Sequence, residues 1–246
     1  MHNVLKVIVR KWKEGHSPVI LICGETGNGK TYTGLRLGEE LKNILGVKFS
    51  IKDSMFTRLD SLLISYLGSK ETIFMIDEAK KHLSAREWWS DFNTAFSEIT
   101  NTQRYRRNIY IVIVPLAKSL ARDHRDMLDI IIEMKDKGYA STYALSRRWA
   151  EIRKFEVWRY WLGNMTISLP SKKLIKEYKI WETKHKRNIY LESAGKVLGS
   201  RFCHECGYEI SYSDLTCKRC GYKFSRDDLY ILIETKLKQL KEKAVQ

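Results

Sequence analysis

GETGNGKT, residues 24–31, decides how the rest of the chain is read. Glycines at 24, 27 and 29 free the backbone to curl, Lys30 and Thr31 close the run, and the six residues before it, PVILIC, are almost wholly apolar. Gly24, Gly29, Lys30 and Thr31 fit the pattern G-x-x-x-x-G-K-[ST], set between a short apolar strand and an amphipathic helix. That order suits a loop that cradles a phosphate chain. Backbone N–H groups of Gly24, Glu25, Thr26, Gly27, Asn28 and Gly29 would face the phosphates. Lys30, Thr31 and Tyr32 would add the unpaired N–H groups and positive dipole of a helix start. The Lys30 ammonium is expected on the β- and γ-phosphates of ATP, and the Thr31 hydroxyl on Mg²⁺. The plainer alternative is a glycine-rich turn without a ligand.

A second stretch, ETIFMIDEA at 71–79, places Asp77 and Glu78 at the C-terminal end of an apolar strand. Two acids there are costly unless they face a cation or a reacting water. Asp77 is expected to hold Mg²⁺ through water, and Glu78 to polarise the attacking water. The competing reading is that both acids cap the next helix.

Around these motifs the chain alternates strand and helix. Residues 4–14 have helical spacing, with Leu5, Val9 and Trp12 on one side and Gly15 as the stop. Pro18–Cys23 reads as a strand and Tyr32–Leu45 as a helix with Leu35, Leu37, Leu41 and Ile44 apolar. Val47–Ile51 reads as a strand, Met55–Leu67 as a helix and Thr72–Ile76 as a strand, so one extra strand stands between the two motifs. Trp89–Tyr105 reads as a helix, IYIVIV at 109–114 as a strand stopped by Pro115, Ala117–Met127 as a helix and DIIIEM as a fifth strand. The alternation predicts an α/β fold with a mostly parallel central sheet covered on both faces.

Beyond residue 135 the pattern becomes that of adjacent antiparallel strands, YASTYALSRRW and EIRKFEVWRYWL, with Gly163-Asn164 as a turn signal. Pro170 and Ser171 open a basic helix, SKKLIKEYKIWETKHKR. The chain ends in a helix begun by SRDD, whose Ser225 and Asp228 suit a cap.

Between those helices lie Cys203-x-x-Cys206 and Cys217-x-x-Cys220, each followed by glycine. In a chain without a secretory signal, paired CxxC units read as a metal site rather than as disulfides. Cys203, Cys206, Cys217 and Cys220 are expected to bind one structural Zn²⁺ and so supply folding energy that the short segment lacks in apolar core. Basic and tyrosine side chains around it, Tyr212 among them, leave DNA contact and protein docking both open. The fifth cysteine, Cys23, reads as a small buried hydrophobe.

The 246 residues carry a formal charge of +15, with 43% hydrophobic and 30% charged residues, and nothing in that composition argues for disorder. Residues 1–130 hold 20 Lys and Arg against 15 Asp and Glu; residues 131–246 hold 24 against 14. The second half is therefore the basic half, and such an excess commonly meets a polyanion, nucleic acid first and an anionic membrane second. A solvated surface rich in Lys and Glu is the alternative. No apolar run approaches a membrane span, so the expected setting is cytoplasmic.

Taken together, the phosphate loop, the hhhhDE strand, and the run Gln103-Arg104-Tyr105-Arg106-Arg107 before the fourth strand resemble the HerA/FtsK family of DNA-pumping ATPases. The compact ATPases carried by archaeal viruses and plasmids are especially similar. The resemblance spans roughly residues 15–190, with LPSKKLIKEYKIWETKHKR similar to the family's late helix. It implies a P-loop ATPase acting on double-stranded DNA in packaging or transfer. It further implies a homo-oligomeric ring, commonly of six, that binds nucleotide between subunits and can dock on a capsid or transfer-complex protein. A neighbour's arginine would reach each site, with Arg104 and Arg107 as candidates. The chain departs from the family where the fourth strand ends in Val114-Pro115-Leu116 rather than in a polar sensor; either Gln103 or Ser119 serves instead, or coupling is weak.

The expected organisation is an ATPase domain with basic extension over 1–190, a zinc ribbon over 200–224 and a C-terminal helix over 225–246. Two alternatives remain. Type II thymidine kinases also combine a phosphate loop, an IDEA-like strand and a zinc ribbon, although their loop usually carries Met-Phe-Ser before GK. Assembly ATPases resembling Zot act on a protein partner but usually carry a membrane span.

Overall fold

A computed structural model describes residues 1–56, 69–77, 106–115, 128–150, 154–211 and 214–245; the side chains of 146–150, 154–158, 186–197 and 237–245 stand outside that description. The chain divides into two compact units, Met1–Ile175 and Lys176–Gln246.

In the first unit, helix α1 (His2–Lys13) leads into strand β1 (Val19–Cys23), helix α2 (Lys30–Leu45), the single turn α3 (Ile51–Ser54) and the short strand β2 (Met55–Phe56). Strands β3 (Ile73–Ile76), β4 (Ile109–Val114), β5 (Ile130–Asp136), β6 (Tyr139–Ala150) and β7 (Lys154–Thr166) complete one seven-stranded sheet in the order β2-β3-β4-β1-β5-β6-β7. The first five are mutually parallel, and β6 and β7 add on antiparallel. Every residue of β1, β3 and β4 is buried, as continuous apolar runs in a two-sided parallel sheet require.

The strand that separates the two motif strands in space is β4, which arrives later in the chain. Val19 of β1 pairs with Tyr110, and Ile73 of β3 pairs with Ile109. The strand lying between the motifs in sequence, β2, sits at the sheet edge beyond β3.

Helix α2 packs on the sheet, and two of its glycines sit where a side chain would not fit. A Cβ on Gly34 would come within 2.8 Å of Met75 Cε, and one on Gly38 within 2.6 Å of the Phe49 ring. Asp129, just before β5, ties α1 to the sheet by accepting from Lys11 Nζ at 2.8 Å and from the Val19 N–H at 2.9 Å.

Several expectations shift. The inward face of α1 is Val4, Ile8 and Trp12 rather than Leu5 and Val9. Ile44 on α2 is exposed. Among the described residues Val47–Ile51 makes a single bridge, Lys48 to Thr72, and the paired strand is Met55–Phe56, where a helix start is expected. Gly163-Asn164 is no turn: it lies within β7, where register slips by one residue opposite Thr142 and Tyr143, and Gly163 at φ +108° accommodates the bulge. The turn between β5 and β6 is Lys137-Gly138, with Gly138 at φ +73°. The helices expected over Trp89–Tyr105 and Ala117–Met127, and most of Met55–Leu67, fall outside the described residues.

After β7, Ser171 caps helix α4 (Lys172–Leu198), its Oγ accepting from the Leu174 N–H at 3.3 Å; this helix runs well past the expected Arg187. The second unit then carries strands β8 (Ser200–Phe202) and β9 (Glu209–Ser211), paired antiparallel, and helix α5 (Arg226–Val245). The Ser225 cap is present, with Oγ accepting from the Asp228 N–H at 3.0 Å and donating to the Asp228 carboxylate. Leu229 and Ile233 of α5 are buried, and the half-buried Leu198, Leu215 and Tyr230 pack against them.

Replacing Gly38 by Ala should lower stability by about 1–3 kcal/mol through overpacking, even though alanine favours helix by about 1 kcal/mol. Adding Phe49→Leu should recover part of that loss. Urea unfolding of the two variants checks both; an unchanged Gly38→Ala midpoint would contradict the packing.

Candidate nucleotide and metal sites

The parallel topology sends the loop after β1 and the end of β3 to the same edge of the sheet. Gly24 leaves β1 at φ +144°, and a Cβ there would lie 2.7 Å from the Met134 carbonyl oxygen, so only glycine lets the chain pass between strands. Its N–H donates to the Pro115 carbonyl at 3.3 Å, at the end of β4. The loop then turns, with the Asn28 N–H donating to Glu25 O at 3.4 Å; Gly27 and Gly29 take φ +94° and +78°. Glu25, Thr26 and Gly27 are exposed.

Gly29 is the N-cap of α2 and provides no side-chain cap, so the first helical N–H groups stay available to an anion. Lys30 folds over the loop and donates to Gly24 O at 2.9 Å and Glu25 O at 2.7 Å. Thr31 Oγ1 lies 3.2 and 3.1 Å from the two oxygens of Asp77. Asp77 is 4% exposed and anchored through its own N–H to Phe56 O at 2.9 Å. Tyr32 follows as the third residue of α2.

A hydroxyl and a carboxylate converging from two strands, beside a lysine and a helix N-terminus, form a donor set for a hard divalent cation and the oxygens of a phosphate chain. Thr31 and Asp77 would hold Mg²⁺ here. Glu78 and Arg104 stand outside the described residues, as do Gln103 and Ser119. Arg107 lies elsewhere: it precedes β4, at the sheet edge opposite the glycine loop that follows β1. Its guanidinium sits 4.2 Å over the Trp12 ring, donates to Trp12 O at 3.3 Å and lies 3.8 Å from Glu71. A reach into a neighbouring subunit would have to break those contacts.

Sequence reasoning missed Met134 and Pro115, whose backbone carbonyls define the passage for Gly24. No side-chain pattern announces a carbonyl contact. Cys23 is buried as expected, and burial above all, then the charge of Glu133, pushes its thiol up to about 11.

In the second unit the two CxxCG segments fold alike. The Cys203 N–H donates to Tyr208 O at 2.9 Å and the Gly207 N–H to Cys203 O at 2.8 Å. The Cys217 N–H donates to Tyr222 O and the Gly221 N–H to Cys217 O, both at 2.9 Å. Gly207 and Gly221 both adopt left-handed φ, +66° and +74°. These turns bring all four Sγ atoms within 4.8 Å of one another, with Cys203 to Cys220 at 3.7 Å and Cys206 to Cys217 at 3.6 Å. A tetrahedron of thiolates about 2.3 Å from zinc has sulfur edges near ~3.8 Å, so the cluster fits that ion. Backbone N–H groups aimed at the Cys217 sulfur, that of Cys220 most strongly, draw its thiol down to about 6 against the opposing effect of burial. His204 stands beside the cluster in edge contact with Tyr222 and Phe224, while Arg201 lies 3.8 Å over the Phe224 ring.

No family model matches the sequence, and no curated protein is similar to it. Among solved structures, the chain is similar to the genome packaging NTPase B204 from Sulfolobus turreted icosahedral virus 2, solved in complex with sulfate. Identity is 14%, over 63% of this chain and 98% of that one, at a TM-score of 0.38. A likeness this loose fixes nothing about this chain. Among the described residues, no helix is long and apolar enough to cross a membrane.

Purified protein should contain one zinc per chain by atomic absorption, and Cys206→Ser should lose it. Chelation should abolish the circular-dichroism signal of the cysteine-bearing segment while leaving nucleotide affinity within about twofold, since the two sites lie in separate units. Metal-free protein with an unchanged spectrum would contradict the assignment.

Proposed function

We propose that the chain is a Mg²⁺-dependent ATPase of the HerA/FtsK type that moves double-stranded DNA in genome packaging or transfer, working in the cytoplasm as a homo-oligomeric ring. One observation carries the nucleotide half of this reading: the Thr31 hydroxyl meets both oxygens of Asp77 beside Lys30 at the start of α2. In such a site the loop N–H groups and Lys30 hold the β- and γ-phosphates, and Thr31 and Asp77 hold the metal. When bound, Mg²⁺ neutralises phosphate charge. Glu78, next in sequence to Asp77, takes a proton from the attacking water. The water's oxygen bonds to the γ-phosphorus as the bond to the bridging oxygen breaks, leaving ADP and phosphate.

The DNA half draws support from the resemblance carried by the two motifs and the arginine run, and from the excess of cations in residues 131–246. The four thiolates would hold Zn²⁺ as a structural ion, with no part in the hydrolysis. Arg104 is the stronger candidate for a residue acting on a neighbour's nucleotide, because Arg107 is engaged with Trp12 and Glu71.

Duplex DNA should stimulate ATP hydrolysis by the intact protein. Glu78→Gln should keep ATP bound and slow cleavage by roughly a hundredfold or more, while Lys30→Ala should lose nucleotide affinity. Coupled-assay turnover and equilibrium binding measure both. Phosphorylation of a nucleoside with no response to DNA would overturn the motor in favour of a kinase, and normal turnover in Glu78→Gln would move the base elsewhere.

A further inference from the structure

Helix α4 carries two unlike faces. Leu174 and Tyr178 are buried, and the stack Tyr178–Trp181–His185, with ring centroids 6.0 and 4.0 Å apart, continues the same side. The opposite side is exposed and presents Lys172, Lys173, Lys176, Lys179, Thr183 and Lys184. At 3.6 residues per turn, Lys172, Lys176, Lys179 and Thr183 fall within about 60° of one another, and Lys173 and Lys184 extend the arc to about 140°. Glu177 and Glu182 lie outside that arc, one on each side.

Such a face is locally unfavourable. Lysines at i and i+4 or i+3, as at 172, 176 and 179, repel by about 0.2–0.5 kcal/mol per pair. Lys172 and Lys173 also occupy the first turn, where the helix dipole disfavours cations, and that turn holds no acid. The carboxylate at this end, Glu39, is already engaged, accepting from the Ser171 N–H at 3.1 Å and pairing with Arg36 at 3.1 Å. None of Lys172, Lys173, Lys176 and Lys179 forms an ion pair with a described residue. A surface that served solubility alone would mix signs and pair them.

We infer that this face of α4 docks the phosphate backbone of duplex DNA, with Lys172, Lys173, Lys176 and Lys179 as its contacts. The identity of the polyanion rests on the DNA reading above; the place of contact does not. From Lys172 to Lys184 the helix rises about 18 Å, a length over which a duplex presents about ten phosphate charges. An anionic membrane is the poorer partner. A helix that lies in a bilayer surface pairs its cations with an outward apolar face, and here the apolar side is turned inward, leaving Ile180 alone among the lysines.

The test uses full-length protein and a fluorescent duplex of random sequence, titrated by anisotropy over a salt series. Changing all four lysines to Gln, a comparable helix former, should flatten the plot of log affinity against log salt by about three to four units. It should also weaken binding at low salt at least ~tenfold. The four-Arg variant should keep the wild-type slope, and affinity for a non-hydrolysable ATP analogue should be equal in all three proteins. A wild type that binds DNA and a four-Gln variant that binds it equally well would overturn this surface alone. A wild type that does not bind DNA would overturn the DNA reading, and this inference with it. Tighter, lysine-dependent binding to phosphatidylserine vesicles than to duplex would reassign the face to a membrane.

Discussion

The hydroxyl of Thr31 and the carboxylate of Asp77 meet across a strand that belongs to neither of their motifs, and the candidate site depends on that meeting. Thr31 is carried by the loop and helix that follow β1, and Asp77 by the end of β3, but β4 lies between β1 and β3. The insertion of β4 sets the lateral spacing at which a short hydroxyl and a short carboxylate arrive within 3.2 Å. Two further contacts hold the height of the loop: Gly24 passes Met134 where no Cβ fits, and its N–H is fixed on the Pro115 carbonyl. Charge therefore gathers at one edge of a sheet whose central strands are wholly apolar, and a buried Asp77 has a hydroxyl donor in reach rather than hydrocarbon alone.

The second unit meets its folding problem differently. Its small buried clusters, Leu229 with Ile233 and Cys203 with Ile210 and Cys217, are modest beside the sheet of the first unit. Four sulfurs on two like turns would, with a metal bound, supply what apolar area does not. Each turn needs glycine in left-handed conformation directly after its second cysteine, so the motif CxxCG is a backbone requirement as much as a ligand list.

The parallel core was legible because its strands are uninterrupted apolar runs, and the phosphate loop because glycine spacing followed by Lys and Thr leaves few other readings. The cysteine cluster was legible because ligand type and spacing repeat. What the sequence concealed follows from chemistry that leaves no side-chain mark. Strand β2 has two residues and no alternation to detect. Gly163 resembles a turn because a bulge and a turn ask the same freedom of glycine. The inward face of α1 was misjudged by one residue, since Leu5 and Val9 are as apolar as the Val4 and Ile8 that are buried; tertiary contact chose between them. Arg107 was read for its charge, yet what holds it is the Trp12 ring, a partner 95 residues away that no local pattern reveals.

A triphosphate held by the glycine loop, with its metal on Thr31 and Asp77, is the central claim. A crystal structure with a non-hydrolysable ATP analogue and Mg²⁺ tests it most directly. It should show the phosphates ringed by the amides of residues 24–31, Lys30 swung from the Gly24 and Glu25 carbonyls onto them, and the metal between Thr31 Oγ1 and Asp77. Phosphates bound elsewhere, or a metal that ignores the Thr31–Asp77 pair, would contradict it.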